Sequence, residues 1–187
     1  MAEIKSTLDL VMERTRNMRP SREEREEMLA RDREKKAKGL LLRLSEGHLK
    51  TENLREAAVD AAGPEEAEAL EAELKRLLIQ DLSLDQDPGP AVAALEVLAG
   101  RPAIEPLQAL LALQKDYTND MAELEAQAAA QALEKLAARG ITGSALRPKP
   151  VRTPAFEAKR LDLRRRLEGR FEQVRRVLQE AVGRDRS

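Results

Sequence analysis

His48 is the chain's only imidazole, and no cysteine accompanies it anywhere in the 187 residues. These two counts remove the chemistries that need several soft ligands. Zinc centres draw their ligands largely from Cys and His, and a helical di-iron site needs paired Glu-x-x-His motifs. Neither can be assembled here, so no metal and no cofactor is expected. Thiolate nucleophiles and disulfides are excluded with the cysteines. The phosphate-cradling patterns Gly-x-Gly-x-x-Gly and Gly-x-x-x-x-Gly-Lys-Ser/Thr are absent from the sequence. His48 follows Gly47 at an expected helix end and reads as a surface or capping residue. Ser6, Ser21, Ser45 and Ser83 have no local base and read as caps or surface positions. Tyr117 falls on a long helical stretch, where an amphipathic ring packs into a core or interface more readily than it serves as a catalytic hydroxyl. Asp and Glu number 34, yet no spacing singles out an acid–base pair. No catalytic residue is nominated.

The remaining chemistry is charge, and its sign changes along the chain. Residues 1–51 hold 13 Lys/Arg and 10 Asp/Glu, residues 52–146 hold 7 and 18, and residues 147–187 hold 13 and 6. The segments thus carry +3, −11 and +7 within a formal total of −1. A basic arm of this kind either folds back on the acidic centre or is held out for an anionic partner. Within it, Leu163, Leu167, Phe171, Val174, Val177, Leu178 and Ala181 fall within about 120° of a helical wheel, joined by Phe156. Arg164, Arg165, Arg175 and Arg176 lie outside this stripe and are interleaved with Glu157, Glu168 and Glu172. Arg160 and Arg170 flank or enter it, where their stems could cover apolar surface while their heads reach acids across an interface. Arg160, Leu163, Arg164, Arg165, Leu167, Arg170, Phe171, Arg175 and Arg176 are therefore the candidate partner-binding residues. The first reading is a docked helix, within the chain or between subunits. An anionic protein contact comes next, and RNA or DNA binding through residues 147–187 after that. Glu65–Glu73 is the most obvious internal acidic counterpart.

Punctuation sets the elements that must position these residues. Ser6 and Asp9 cap a first helix with Leu8, Val11, Met12 and Thr15 on one face, and Arg19-Pro20 stops it. Such a helix would tuck against the rest of the bundle. Ser21 and Glu24 form a capping box for a second helix running to Glu46, with Gly47 as its stop. Its first half, Arg22–Lys38, is polar and laced by Glu27–Arg31, Asp32–Lys36 and Glu34–Lys38 pairs. Leu40, Leu41, Leu42 and Leu44 then demand cover, and Gly39 between the halves marks a bend or close contact. Thr51 caps a short helix to about Ala62. Gly63-Pro64 restarts the chain with proline at the first helical position, before a stripe of Leu70, Leu74, Leu77, Leu78 and Leu82. Asp87-Pro88 precedes Val92, Leu95 and Leu98. A long helix from about Ile104 to Ala138 presents Leu107, Leu111, Met121, Leu124, Ala128, Ala132 and Leu136, with Pro106 tolerable only near its start.

The expectation is an all-α protein, an elongated helical bundle or a set of packed helical hairpins with helical arms at both termini. Its divisions are an N-terminal arm (1–39), a central acidic body (40–139), a Gly/Pro-containing linker (140–154) and a basic amphipathic helix (155–187). Three aromatic residues and abundant alanine make a thin core, which favours a protein partner or a homo-oligomer. The longest apolar runs fall far short of a membrane span, membrane contact is not expected, and a cytoplasmic location is. Functionally the sequence reads as a noncatalytic interaction or assembly-associated adaptor. An RNA- or ribosome-associated protein is the alternative, and an enzyme with a helical carboxylate site the third.

Overall fold

In a computed structural model, residues 21–143, 146 and 153–183 are described. They form six α-helices and one 3-10 turn, with no strand among the described residues. Helix α1 spans Arg22–Ser45, a 3-10 turn covers Thr51–Asn53, and α2 spans Leu54–Ala62. Helices α3 (Ala67–Asp81), α4 (Gly89–Ala99), α5 (Arg101–Ala137) and α6 (Pro154–Gly183) follow. The arrangement is an elongated, all-α packed bundle. The expected helix within residues 1–20, and most of the 140–154 linker, lie outside the described residues.

The Ser21 capping box forms as its spacing dictates. The Glu24 N–H donates to Ser21 Oγ (3.1 Å) and the Ser21 N–H to Glu24 Oε2 (2.7 Å). The three anticipated ion pairs are present at 3.4, 2.9 and 2.7 Å, and each contributes only weakly on an exposed helix. Every residue from Arg22 to Asp32 is exposed. Packing starts with half-buried Arg33 and becomes complete at Ala37 and Leu40, where α1 lies on α3 and α2. Leu41 and Leu44 are half-buried against the core, but Leu42 is 57% exposed, so the four leucines are not all covered. Four leucines within five residues wrap more than a single helix face, and Leu42 falls on the far side. Gly39 neither interrupts α1 nor makes a close contact, since an added Cβ would meet nothing within 4 Å.

Two more local expectations shift. Thr51 opens the 3-10 turn and makes no side-chain cap. Pro64 sits in a turn, and α3 begins three residues later at Ala67. The leucine stripe of α3 is correct: Leu70, Leu74, Leu78 and Leu82 are buried, and Leu77 packs at the edge. Asp87 Oδ1 accepts the Gly89 N–H (3.0 Å) at the head of α4, whose Val92, Leu95 and Leu98 are buried. Gly100, at φ +64°, joins α4 directly to α5 in a conformation that L side chains avoid.

Helix α5 is 37 residues long, roughly 55 Å at 1.5 Å per residue. Its two halves differ. Up to Tyr117 it buries Ala103, Pro106, Leu107, Leu110, Leu113 and Tyr117 in the main core, whereas Leu111 is exposed. Beyond Tyr117 no residue of α5 is buried, and Met121, Leu124, Ala128, Ala132 and Leu136 are half-buried. These face α6, which runs along α5 and also reaches α3. One neighbouring helix and small side chains cannot enclose the stripe.

Candidate functional site

Helix α6 carries every candidate partner-binding residue, so its docking decides what each can do. Thr153 Oγ1 accepts the Phe156 N–H (3.1 Å) and starts the helix at Pro154. Phe156, Leu163, Leu167, Phe171 and Leu178 are then buried, and Val174 packs beside them. The basic arm therefore folds back within the chain. Leu163, Leu167 and Phe171 belong to its own core, so any partner contacts α6 through other atoms while the helix is docked. Val177, placed in the stripe by the wheel, is 51% exposed.

The arginines divide into two groups. Arg164 reaches Asp85 Oδ2 at 3.1 Å, in the loop after α3, and lies 3.8 Å from Glu168. Arg166 reaches Asp120 on α5 at 3.3 Å. Arg160 pairs with Glu157 and Arg175 with Glu172, both at 2.9 Å within α6. Arg165, Arg170 and Arg176 are exposed and form no ion pair among the described residues. Among the described residues the acids that receive the arm are Asp85 and Asp120, and no ion pair from it reaches Glu65–Glu73. In that stretch Glu66 lies 3.7 Å from Arg33, and Glu73 pairs with Arg76 at 2.6 Å. Among the described residues Arg160 and Arg170 make no ion pair across the interface either; Arg166, not singled out by the wheel, does.

Asp85 joins three segments. Its Oδ1 accepts the Tyr117 hydroxyl (3.1 Å) from α5, while Oδ2 faces Arg164 of α6. Burial raises the Tyr117 pKa above its ordinary value of 10.0, and the hydrogen bond to Asp85 adds to the shift. A neutral phenol donating to a carboxylate is a clamp, with its proton already committed. This agrees with the core reading of Tyr117. Asp85 itself was illegible in the sequence, because both partners come from helices distant along the chain.

Elsewhere the chemistry is sparse. The His48 side chain is 72% exposed, 3.8 Å from Glu46. Among the described residues, no three His, Cys, Asp or Glu side chains cluster as a metal site, and no helix is long and apolar enough to cross a membrane. The surface depressions are open grooves. One between α4, the C-terminal ends of α1 and α3, and the loop after α3 is lined mainly by Leu41, Leu44, Leu78, Leu82 and Pro88. A wider one between α1 and α3 is lined by Glu34, Lys38, Leu41, Leu42, Arg76 and Leu77, among others. These features are consistent with a noncatalytic helical protein. No protein-family model matches the chain, and neither a curated protein nor a solved structure matches it.

Proposed function

We propose that this chain is a protein-binding adaptor or assembly-associated factor that engages an acidic protein surface through the outer side of α6. One observation carries the reading: Arg165, Arg170 and Arg176 project from a helix whose inner face is already anchored, and they hold no carboxylate among the described residues. Exposed Leu161 lies one turn before Arg165, and exposed Val177 lies two turns after Arg170. Cations beside isolated apolar side chains suit a protein rim, where charge sets orientation and on-rate. Glu168 and Glu172 interrupt the basic surface, which weighs against a phosphate-tracking groove. The partner is a different protein or a second copy, and the cell compartment proposed is the cytoplasm.

The test is affinity capture of the full chain from its native lysate, with and without nuclease, beside an Arg165→Glu/Arg170→Glu/Arg176→Glu variant. A nuclease-resistant protein that the variant loses supports the reading. Material lost to nuclease transfers the surface to RNA or DNA. A protein retained equally by the variant removes α6 as the site.

A further inference from the structure

The groove at the corner of α4, the C-terminal ends of α1 and α3 and the loop after α3 has a volume of about 180 Å³. A site for a drug-sized molecule takes roughly 300–1,000 Å³, so this one suits a single long side chain. Its walls are mainly apolar: Leu78, Leu82 and Pro88 are buried, and Leu41, Leu44 and Ala91 are half-buried. Asp81 and Asp87 are its exposed carboxylates, and neither holds an ion pair among the described residues. No described lysine or arginine lines it.

We propose that this corner is a socket for one lysine or arginine side chain of a partner protein, with the stem on the leucines and the cation at Asp81 and Asp87. Charge complementarity selects this occupant, and three features supply it. The first is the pair of unpaired carboxylates. The second is the meeting of two helix ends of one sign. Leu44 and Ser45 close α1, and Leu78 and Asp81 close α3, and C-terminal ends carry partial negative charge. The third is the muting of the opposite end of α4, which would otherwise attract an anion. There the Gly89 N–H already donates to Asp87 Oδ1 (3.0 Å), the Val92 N–H donates to the Pro88 carbonyl (2.8 Å), and Pro90 has no N–H to offer. Cations within the chain do not compete. Lys38 and Arg76 line the adjoining groove that shares Asp81, and they are committed to Glu34 (2.7 Å) and Glu73 (2.6 Å). Asp85, in the same loop, is already taken by Tyr117 and Arg164. A basic side chain satisfies both halves of the site, because its methylene stem covers apolar surface while its head stays near water and the carboxylates. An anionic side chain would meet charge of its own sign, and a wholly apolar one would leave the carboxylates unused. The socket uses none of Arg165, Arg170 and Arg176, so it stands or falls separately from the outer side of α6.

Amide chemical shifts of the full chain test it with three probes. One is Nα-acetyl-lysine N-methylamide. Its norleucine counterpart keeps the stem without the charge, and butylammonium keeps stem and charge without the backbone. The lysine probe should move the Ser83, Gln86 and Gly89 amides saturably, and the norleucine probe should move them far less. Asp81→Asn, at an exposed position, should weaken the lysine probe roughly two- to fivefold, as the loss of an exposed ion pair does. No movement, or equal movement by the norleucine probe, overturns the proposal. So does an Asp81→Asn protein that binds as the parent does, or equal shifts across the amides of Glu65–Glu73, which would show attraction to acidic surface alone. Tighter binding of butylammonium than of the lysine probe assigns the pocket to a free amine and overturns the partner protein. Shifts of these amides that grow with the concentration of the protein alone overturn it too, in favour of a second copy.

Discussion

Phe171 and Val177 separate the observed packing from the helical wheel more cleanly than any other pair. Both fall within the apolar arc of α6, yet Phe171 is 3% exposed and Val177 is 51% exposed. Truncating a buried phenylalanine to alanine removes its transfer free energy and leaves a cavity, a loss of about 3–5 kcal/mol. For a chain of this size each kcal/mol moves Tm by roughly 2–4 °C, so Phe171→Ala should melt roughly 6–20 °C below the parent. Val177→Ala should change stability by no more than about 0.5 kcal/mol, helped slightly by the better helix propensity of alanine. Circular dichroism at 222 nm during heating reads both, and urea titration checks that the m-value is unchanged. Equal melting of the two variants, or a Phe171→Ala protein within a degree of the parent, would refute the docking of α6.

Four further outcomes rest on particular contacts. Ultraviolet titration of Tyr117 should give a midpoint above 10.0, and Asp85→Asn should lower it partway while burial keeps the rest. Because the folded phenol holds its proton more tightly than the unfolded one, its contribution to stability is complete below the unfolded pKa. That contribution is lost as pH rises from there through the folded value, and urea midpoints across that alkaline range should fall less in Tyr117→Phe. A double-mutant cycle of Asp85→Ala with Arg164→Ala should return a coupling of about 0.2–1 kcal/mol, since both side chains are nearly half exposed; zero coupling would remove the bridge from the clamp. Ser21→Ala should lose about 1 kcal/mol at the head of α1, visible as faster amide exchange at Glu24 and not at Leu40. Arg33 Nε is buried without a hydrogen-bond partner and 3.7 Å from Glu66, so Arg33→Met should hold or raise Tm; a fall of several degrees would show that the guanidinium is satisfied.

What the sequence revealed was local order. The Ser21–Glu24 box, the proline-marked starts near Asp87 and Thr153, and the leucine spacing of α3 each depend on residues within two turns, and each formed. Where long-range packing decided, the text was silent. The wheel could not tell Phe171 from Val177, because exposure depends on where α5 and α3 approach. Leu111 looked equivalent to Leu107, yet one faces solvent and the other the core. The pairing of Arg164 with Asp85 needed the fold itself, since the acidic content of a stretch such as Glu65–Glu73 says nothing of its position. The candidate surface changed accordingly: its apolar members became core, and three outward arginines remained.

The central structural claim is that the basic C-terminal segment is a wall of the bundle. Native-state amide hydrogen exchange on the full chain tests it most directly. Amides from Leu163 to Leu178 should exchange as slowly as those of Leu107–Leu113 in α5 and Leu70–Leu78 in α3, because opening them requires opening the shared core. Exchange of the α6 amides near the rate of an isolated helix, with α3 and α5 still protected, would contradict it.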